Sequence, residues 1–281
     1  MATKTHNLPI VDHIVILVSY QTLQEIPQRL ENFLTVIEGG AHADGLTVNK
    51  LIILPDGTYI ELIAFRENVD PHRRNQHQWG SLKEGQISDW AYTFADEKYF
   101  VQVQARVKEA ASASGITYQD PIPGGRLRPD GVELKWAVSF AQDASLSRLW
   151  PGTAPFWCLD RTPRHLRVPY RDEKTGAAPP HTRHPSGAQG VSRLSISVPE
   201  KDFSVTSRIY EGVHGPAVED GPTGKAWPYV NHAGLDQGKR RVVLTTTSGQ
   251  ERQISLALIG TQDSPREVEL LPGLTFTFDI E

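Results

Sequence analysis

Two stretches of the chain constrain its fold more than any others. GGAHADG runs from Gly39 to Gly45, and GGRLRPDG from Gly124 to Gly131. Each is a glycine pair followed by an Asp-Gly, and each sits inside the same succession of patterns. VDHIVILV (Val11–Val18) is short, β-branched and nearly all apolar, as expected of a strand covered on both faces. TLQEIPQRLENFL follows, with Ile26, Leu30 and Phe33 at helical spacing. Thr22 and Glu25 form a capping box there, and Pro27 limits where the first turn begins. LTVI reads as a strand and the glycine stretch as a turn-rich connection, while TVNKLIIL and TYIELIAF read as a hairpin turned by Pro-Asp-Gly. After the polar, aperiodic RENVDPHRRNQHQWGSLKEGQ the order restarts. DWAYTF reads as a strand, EKYFVQVQARVKEAASAS as a helix ending at Gly115, and ITYQD as a strand. The second glycine stretch then leads into the strands VELKWAVSF and PFWCLD. A chain that spells β-α-β-β-β twice, with the glycine pair at the same place, is a diverged tandem repeat.

RDEKTGAAPPHTRHPSGAQG is rich in Pro, Gly and charge, and reads as a linker. Beyond it come a strand (GVSRLSISV), a helix (DFSVTSRIYEGVHG) and three further strands (RRVVLTTT, RQISLALIG, LTFTFDI), the pattern of a third, decayed copy. The expected division is a paired module over 1–170 with units at about 10–65 and 88–160, a linker over 171–190, and a β-rich segment over 191–281. A length of 281 residues suits one large domain or two ordinary ones. The net charge of −4 offers no basic footprint for nucleic acid. No apolar run approaches membrane-span length, so no membrane partner is expected. The single Cys158 excludes an internal disulfide framework. With no apolar segment in MATKTHNLPIVDH, it points to the cytoplasm.

A two-residue period places Val11, His13, Val15 and Leu17 on one face of the first strand, and Tyr59, Glu61, Ile63 and Phe65 on one face of the fourth. His13 and Glu61 are ionisable groups on otherwise apolar faces. A buried carboxylate needs a cation, a donor or a raised pKa. A lone histidine on such a face is most simply a core residue. A histidine and a carboxylate converging on one concavity can instead exchange protons or hold a divalent metal.

DHIVILV, GGAHADGLTVN, DGTYIELIAF, GGRLRPDGVELKW and PFWCLDRTPRHLRVP together resemble the glyoxalase-like domain of the vicinal oxygen chelate superfamily, over about residues 9–198. The resemblance implies an α+β fold of tandem βαβββ modules whose mixed sheet curls into a cup. It also implies a divalent metal (Zn, Ni, Mn or Fe) held by a first-strand His and a last-strand Glu, which here match His13 and Glu61. In the second copy, aligning VDHIVIL with SDWAYTF puts Trp90 at the His position, with Phe156 or Cys158 near the Glu position. In the third segment Arg193 and Ser255 take those places. The second ligand pair is thus missing, and His42 is the candidate third ligand. No nucleotide cofactor is implied.

Thr47 and Asn49 alternate onto one strand face and suit a substrate carbonyl or hydroxyl. Arg126 and Arg128 offer forks for a carboxylate. Trp136, Trp90 and Trp157 could wall an aromatic substrate or simply fill the core. Cys158 has no adjacent base to make it a nucleophile. His72 and His77 read as loop residues, and His181 and His184 as part of the linker.

The expected protein is a lyase or isomerase acting on a small molecule with vicinal oxygens or an enolisable carbonyl. Glu61 would be its base, and His13, with or without a metal, would polarise the carbonyl. The rivals are a non-catalytic small-molecule binder and a ring-cleaving dioxygenase. A homodimer is left open.

Overall fold

The computed structural model describes residues 8–42, 44–128, 130–234 and 240–280. The first copy comprises β1 (Ile10–Leu17), α1 (Tyr20–Leu30), β2 (Ile37–Ala41), β3 (Thr47–Ile53) and β4 (Tyr59–Phe65), followed by the short helix α2 (Pro71–Gln76). The second comprises β5 (Gln86–Thr93), α3 (Phe100–Ala110), the two-residue β6 (Thr117–Tyr118), β7 (Ile122–Leu127), β8 (Glu133–Ser139), the two-residue β9 (Ala141–Gln142) and β10 (Phe156–Asp160). Helix α4 (Arg164–Arg167) closes it. Eight of these strands form one mixed sheet, in the order β2-β3-β4-β1-β5-β10-β8-β7.

Every residue of β1 and β4 is buried, as their unbroken apolar runs require. β1 runs parallel to β4 and antiparallel to β5, and β5 runs parallel to β10. The β1–β5 ladder is symmetric about Ile14 opposite Trp90, so the two copies meet across a local two-fold. The sheet's two edges also touch: Arg126 Nη1 on β7 donates to Gly39 O on β2 at 2.8 Å, drawing the curled sheet into a cup.

Three local expectations change. Pairing slips by one residue between Val11 and His13, so β1 does not keep a strict two-residue period. Val11 joins Ile14 and Ile16 in the helix-side core, while Val15 and Leu17 pack on the opposite face. The N-cap of α1 is Ser19, whose Oγ accepts from Thr22 N at 3.0 Å, and not Thr22. The glycine pairs lie inside β2 and β7, not in turns. The turn role belongs to the Asp-Gly glycines that follow: Gly45 and Gly131 have φ of 70° and 82°, which only glycine adopts without strain.

The remainder of the chain forms β11 (Gly190–Pro199), α5 (Glu200–His214), β12 (Glu219–Asp220), β13 (Gly224–Pro228), β14 (Arg241–Thr247), β15 (Gln253–Gly260), β16 (Glu267–Leu271) and β17 (Leu274–Ile280). They make a seven-stranded sheet in the order β12-β13-β14-β11-β15-β17-β16. Here too the central pair is antiparallel with a one-residue slip, and β11 runs parallel to β14. The β-α-β-β-β order therefore occurs a third time, followed by three strands without a helix. One cluster of buried apolar side chains draws on both sheets and on α1, α3 and α5. No helix among the described residues is long and apolar enough to cross a membrane.

Candidate active site

β1 delivers His13 through the bulge that follows Val11. The neighbouring Asp12 is fully buried, and its Oδ2 lies 2.6 Å from His13 Nδ1. Two arginines of α4 hold that carboxylate: Arg167 Nη2 donates to Asp12 Oδ1 at 2.8 Å, and Arg164 donates to the same oxygen. Asp160 takes the other side of Arg167 at 2.6 Å. Burial pushes the Asp12 carboxyl up, but the two guanidinium charges and the His13 hydrogen bond hold it well below the usual carboxylate range. An anion fixed on Nδ1 sets the His13 ring orientation and turns Nε2 towards Glu61. Tyr59 stacks on the ring at 4.6 Å between centroids, and Phe156 meets it edge-on at 5.2 Å.

Glu61, on β4, is 5% exposed. Its Oε2 stands 3.6 Å from His13 Nε2 and its Oε1 stands 3.3 Å from His42 Nε2, while Asn49 Nδ2 on β3 donates to Oε1. Burial would raise this carboxyl. The His42 hydrogen bond, the charges of His42 and His13, and the Asn49 amide overcome it and bring it down to about 2. Conversely, burial lowers His42 but Glu61 outweighs it, and the imidazole ends above its ordinary value. Thr47 is fully buried beneath, with Oγ1 2.7 Å from His42 Nδ1, so it orients His42 and does not line the cavity.

The glycine pairs make room for this array. A Cβ at Gly39 would lie 2.0 Å from Asn49 Oδ1, and one at Gly40 would lie 2.4 Å from Arg126 Nη1. In β7 a Cβ at Gly124 would crowd Trp136 Nε1 at 3.1 Å. Asn49, Arg126 and Trp136 all line a cavity of about 300 Å³ whose ionisable floor is His13, His42 and Glu61. Trp79, Phe140, Phe156 and Cys158 add an apolar wall. The Cys158 thiol is pushed up by burial, away from the thiolate a nucleophile needs. His77, read from the sequence as a loop residue, also lines the cavity. It follows α2 and lies 3.5 Å from Asp44. Arg128 instead donates to Leu166 O, and His184 is buried against Thr35 and Ile53, away from the cavity.

The second copy departs from the alignment made by sequence. His13 opposite Ala91 mirrors Val15 opposite Asp89 across the two-fold, so Asp89, and not Trp90, stands in the His13 position. Trp90 is fully buried on the opposite face, tilted against Tyr210 of α5, and is no substrate contact. Trp157 lies in the same helix-side core. Ala91 pairs with Phe156 as Val15 pairs with Glu61, which puts Phe156 in the Glu61 position. In the second sheet Arg193 does take the His13 position, but Val243, and not Ser255, takes that of Glu61. A bulge shifts register by one residue, and a hydropathy alignment cannot see it.

These positions bear on the metal that the resemblance implies. His13, His42 and Glu61 were its expected ligands. Among the described residues no group of three or more His, Cys, Asp or Glu could hold a metal ion. Phe156 brings no donor from the second copy. Asp89 is engaged by the backbone N–H of Trp90 and Gly152, and both Glu61 oxygens face His13, His42 or Asn49. As arranged, His13 and His42 are turned onto the Glu61 carboxylate rather than onto a shared metal position.

The family model described as a glyoxalase-like domain matches residues 11–211. This chain belongs to the glyoxalase-like domain family. A hypothetical protein from Staphylococcus aureus is 15% identical with a TM-score of 0.67, over 98% of this chain and all of that one; at that identity the likeness shows the fold alone. A Mn(II)-bound glyoxalase from Novosphingobium aromaticivorans (10% identity, TM-score 0.47) covers 91% of this chain and 66% of its own. BphC, a halotolerant catechol dioxygenase (11%, 0.45), covers 98% of this chain and 88% of its own. No curated protein matches the sequence.

Proposed function

We propose that this glyoxalase-like protein is a lyase or isomerase that moves a proton on a small organic molecule with an enolisable carbonyl. The observation that carries the reading is the convergence of His13, His42 and Glu61 on the floor of an apolar-walled cavity. Aromatic and aliphatic walls hold the carbon skeleton and exclude water, which strengthens charge interactions at the floor. Glu61 is the base. With a carboxyl near 2 it accepts a proton weakly at rest. A bound molecule that takes the donors of His42 or Asn49 for its own oxygen removes what holds the carboxyl down, so binding turns Glu61 into a base. His13, oriented by Asp12, faces the developing enolate through Nε2, and His42 returns the proton.

The low Glu61 value also favours a second reading, a cup that binds without turnover, because an efficient base titrates near working pH. The test is proton–deuterium exchange at C3 of 2-oxo-4-phenylbutanoate and of its methyl ester, followed by proton NMR in D2O. Protein-dependent exchange that falls about 10²–10⁴-fold in Glu61→Gln supports the acid–base reading. Exchange no faster than in buffer, with either probe bound, leaves the binder.

A further inference from the structure

We infer that the molecule this cavity takes is an organic carboxylate, and that Arg126 is the residue that selects it. The inference rests on the small-molecule reading of the cavity and adds the charge of its ligand.

Five basic side chains line the cavity: His13, His42, His77, Arg126 and Arg167. Four already face carboxylates. Arg167 lies between Asp12 and Asp160, His77 is beside Asp44, and His13 and His42 face Glu61. Arg126 alone has no carboxylate partner among the described residues. Among the described residues it makes one hydrogen bond, from Nη1 to the Gly39 carbonyl. A guanidinium has five N–H donors in a planar fork, so most of its donors remain for a ligand. The fork suits two carboxylate oxygens at once.

The arginine is also built into place. It comes from β7 of the second copy and crosses to β2 of the first, where Gly40 leaves space that a Cβ would fill. A guanidinium seated on backbone and fixed by a carbonyl loses little freedom on binding a ligand. Its charge is felt by His42, which puts it beside the ionisable floor. A carboxylate on Arg126 would therefore bring an adjacent carbonyl towards His42, Glu61 and His13, with the rest of the skeleton against Trp136, Phe140 and Phe156.

The test is calorimetric titration of 2-oxo-4-phenylbutanoate and its methyl ester into wild type, Arg126→Met and Arg126→Lys. The expected result is at least ten-fold tighter binding of the acid by wild type, a ratio that falls towards one in Arg126→Met and is partly restored in Arg126→Lys. Equal affinity for acid and ester, binding of neither, or a preference that survives Arg126→Met overturns the assignment. If Arg126→Met does not fold, the wild-type ratio and Arg126→Lys still decide it. The acid–base reading fails separately. Exchange equal for acid and ester, with equal affinities, removes Arg126 and keeps Glu61. A clear affinity ratio without exchange keeps Arg126 and removes catalysis.

Discussion

The two sheets share a strand order and a bulged central pair but differ in what their central strands present. In the first, His13 and Glu61 are buried and face each other across a cavity. In the second, the same positions hold Arg193, which is exposed, and Val243, which is half-buried. Asp12, fully buried under two arginines, has Ser192 as its counterpart, whose hydroxyl donates to Asp279 at 2.7 Å. The fold tolerates both sets, so it does not demand the charged one. Desolvating an ionisable group costs several kcal/mol that pairing only offsets, and at these equivalent positions only the first sheet carries that cost. The charged set is therefore where function is to be sought.

Paired substitutions at equivalent positions test this contrast. Glu61→Gln is expected to lower exchange about 10²–10⁴-fold, while Val243→Ala leaves it unchanged; a loss of similar size in both would make the contrast meaningless. Asp12→Ala leaves two buried guanidinium groups to share Asp160 alone and should cost about 3–5 kcal/mol in urea denaturation. Ser192→Ala should cost about 1 kcal/mol in the same assay. Asp89 sharpens the contrast within the first sheet. Burial raises its carboxyl to about 6, so the folded protein loses stability as pH rises from about 4 through 6. Asp89→Asn keeps the oxygen that accepts from Trp90 and Gly152. It should therefore gain about 3 kcal/mol at pH 7.5 and little at pH 4. A gain independent of pH would mean that burial does not raise the Asp89 carboxyl.

Glu61 has the opposite sign. Its folded value lies below its unfolded one, so its contribution is complete above about pH 4.5 and is lost as pH falls towards 2. The stability of wild type between pH 4.5 and 3 should fall more steeply than that of Glu61→Gln. Parallel slopes would show that the His42 and Asn49 contacts do not hold the carboxyl down.

The tandem order was legible because hydropathy periods and Asp-Gly turns are local signals. His13 and Glu61 were legible because an ionisable group in an apolar strand is conspicuous, Asn49 from its alternation along β3, and His42 only as the third ligand that the resemblance called for. Three things were not. A one-residue bulge after Val11 shifts which side chains face the cup, and it misassigned Trp90 and overlooked Asp89. Asp12 lies next to His13 in the same apolar run and carries no local mark of its role. Its role depends on Arg164 and Arg167, some 150 residues away, and no local pattern joins them. His77 lies in a polar, aperiodic loop by sequence, and its edge-on packing against Phe65 of β4 brings it to the cavity.

The glycine pair in β2 has a further consequence. Gly40 sits in one copy and the arginine it admits sits in the other, so neither copy carries a complete cup. A side chain at Gly40, a change made wholly in the first copy, would displace Arg126 of the second. The two halves of the duplication can therefore no longer drift independently. The repeat persists in strand order, but the site it encloses is heritable only as a single unit.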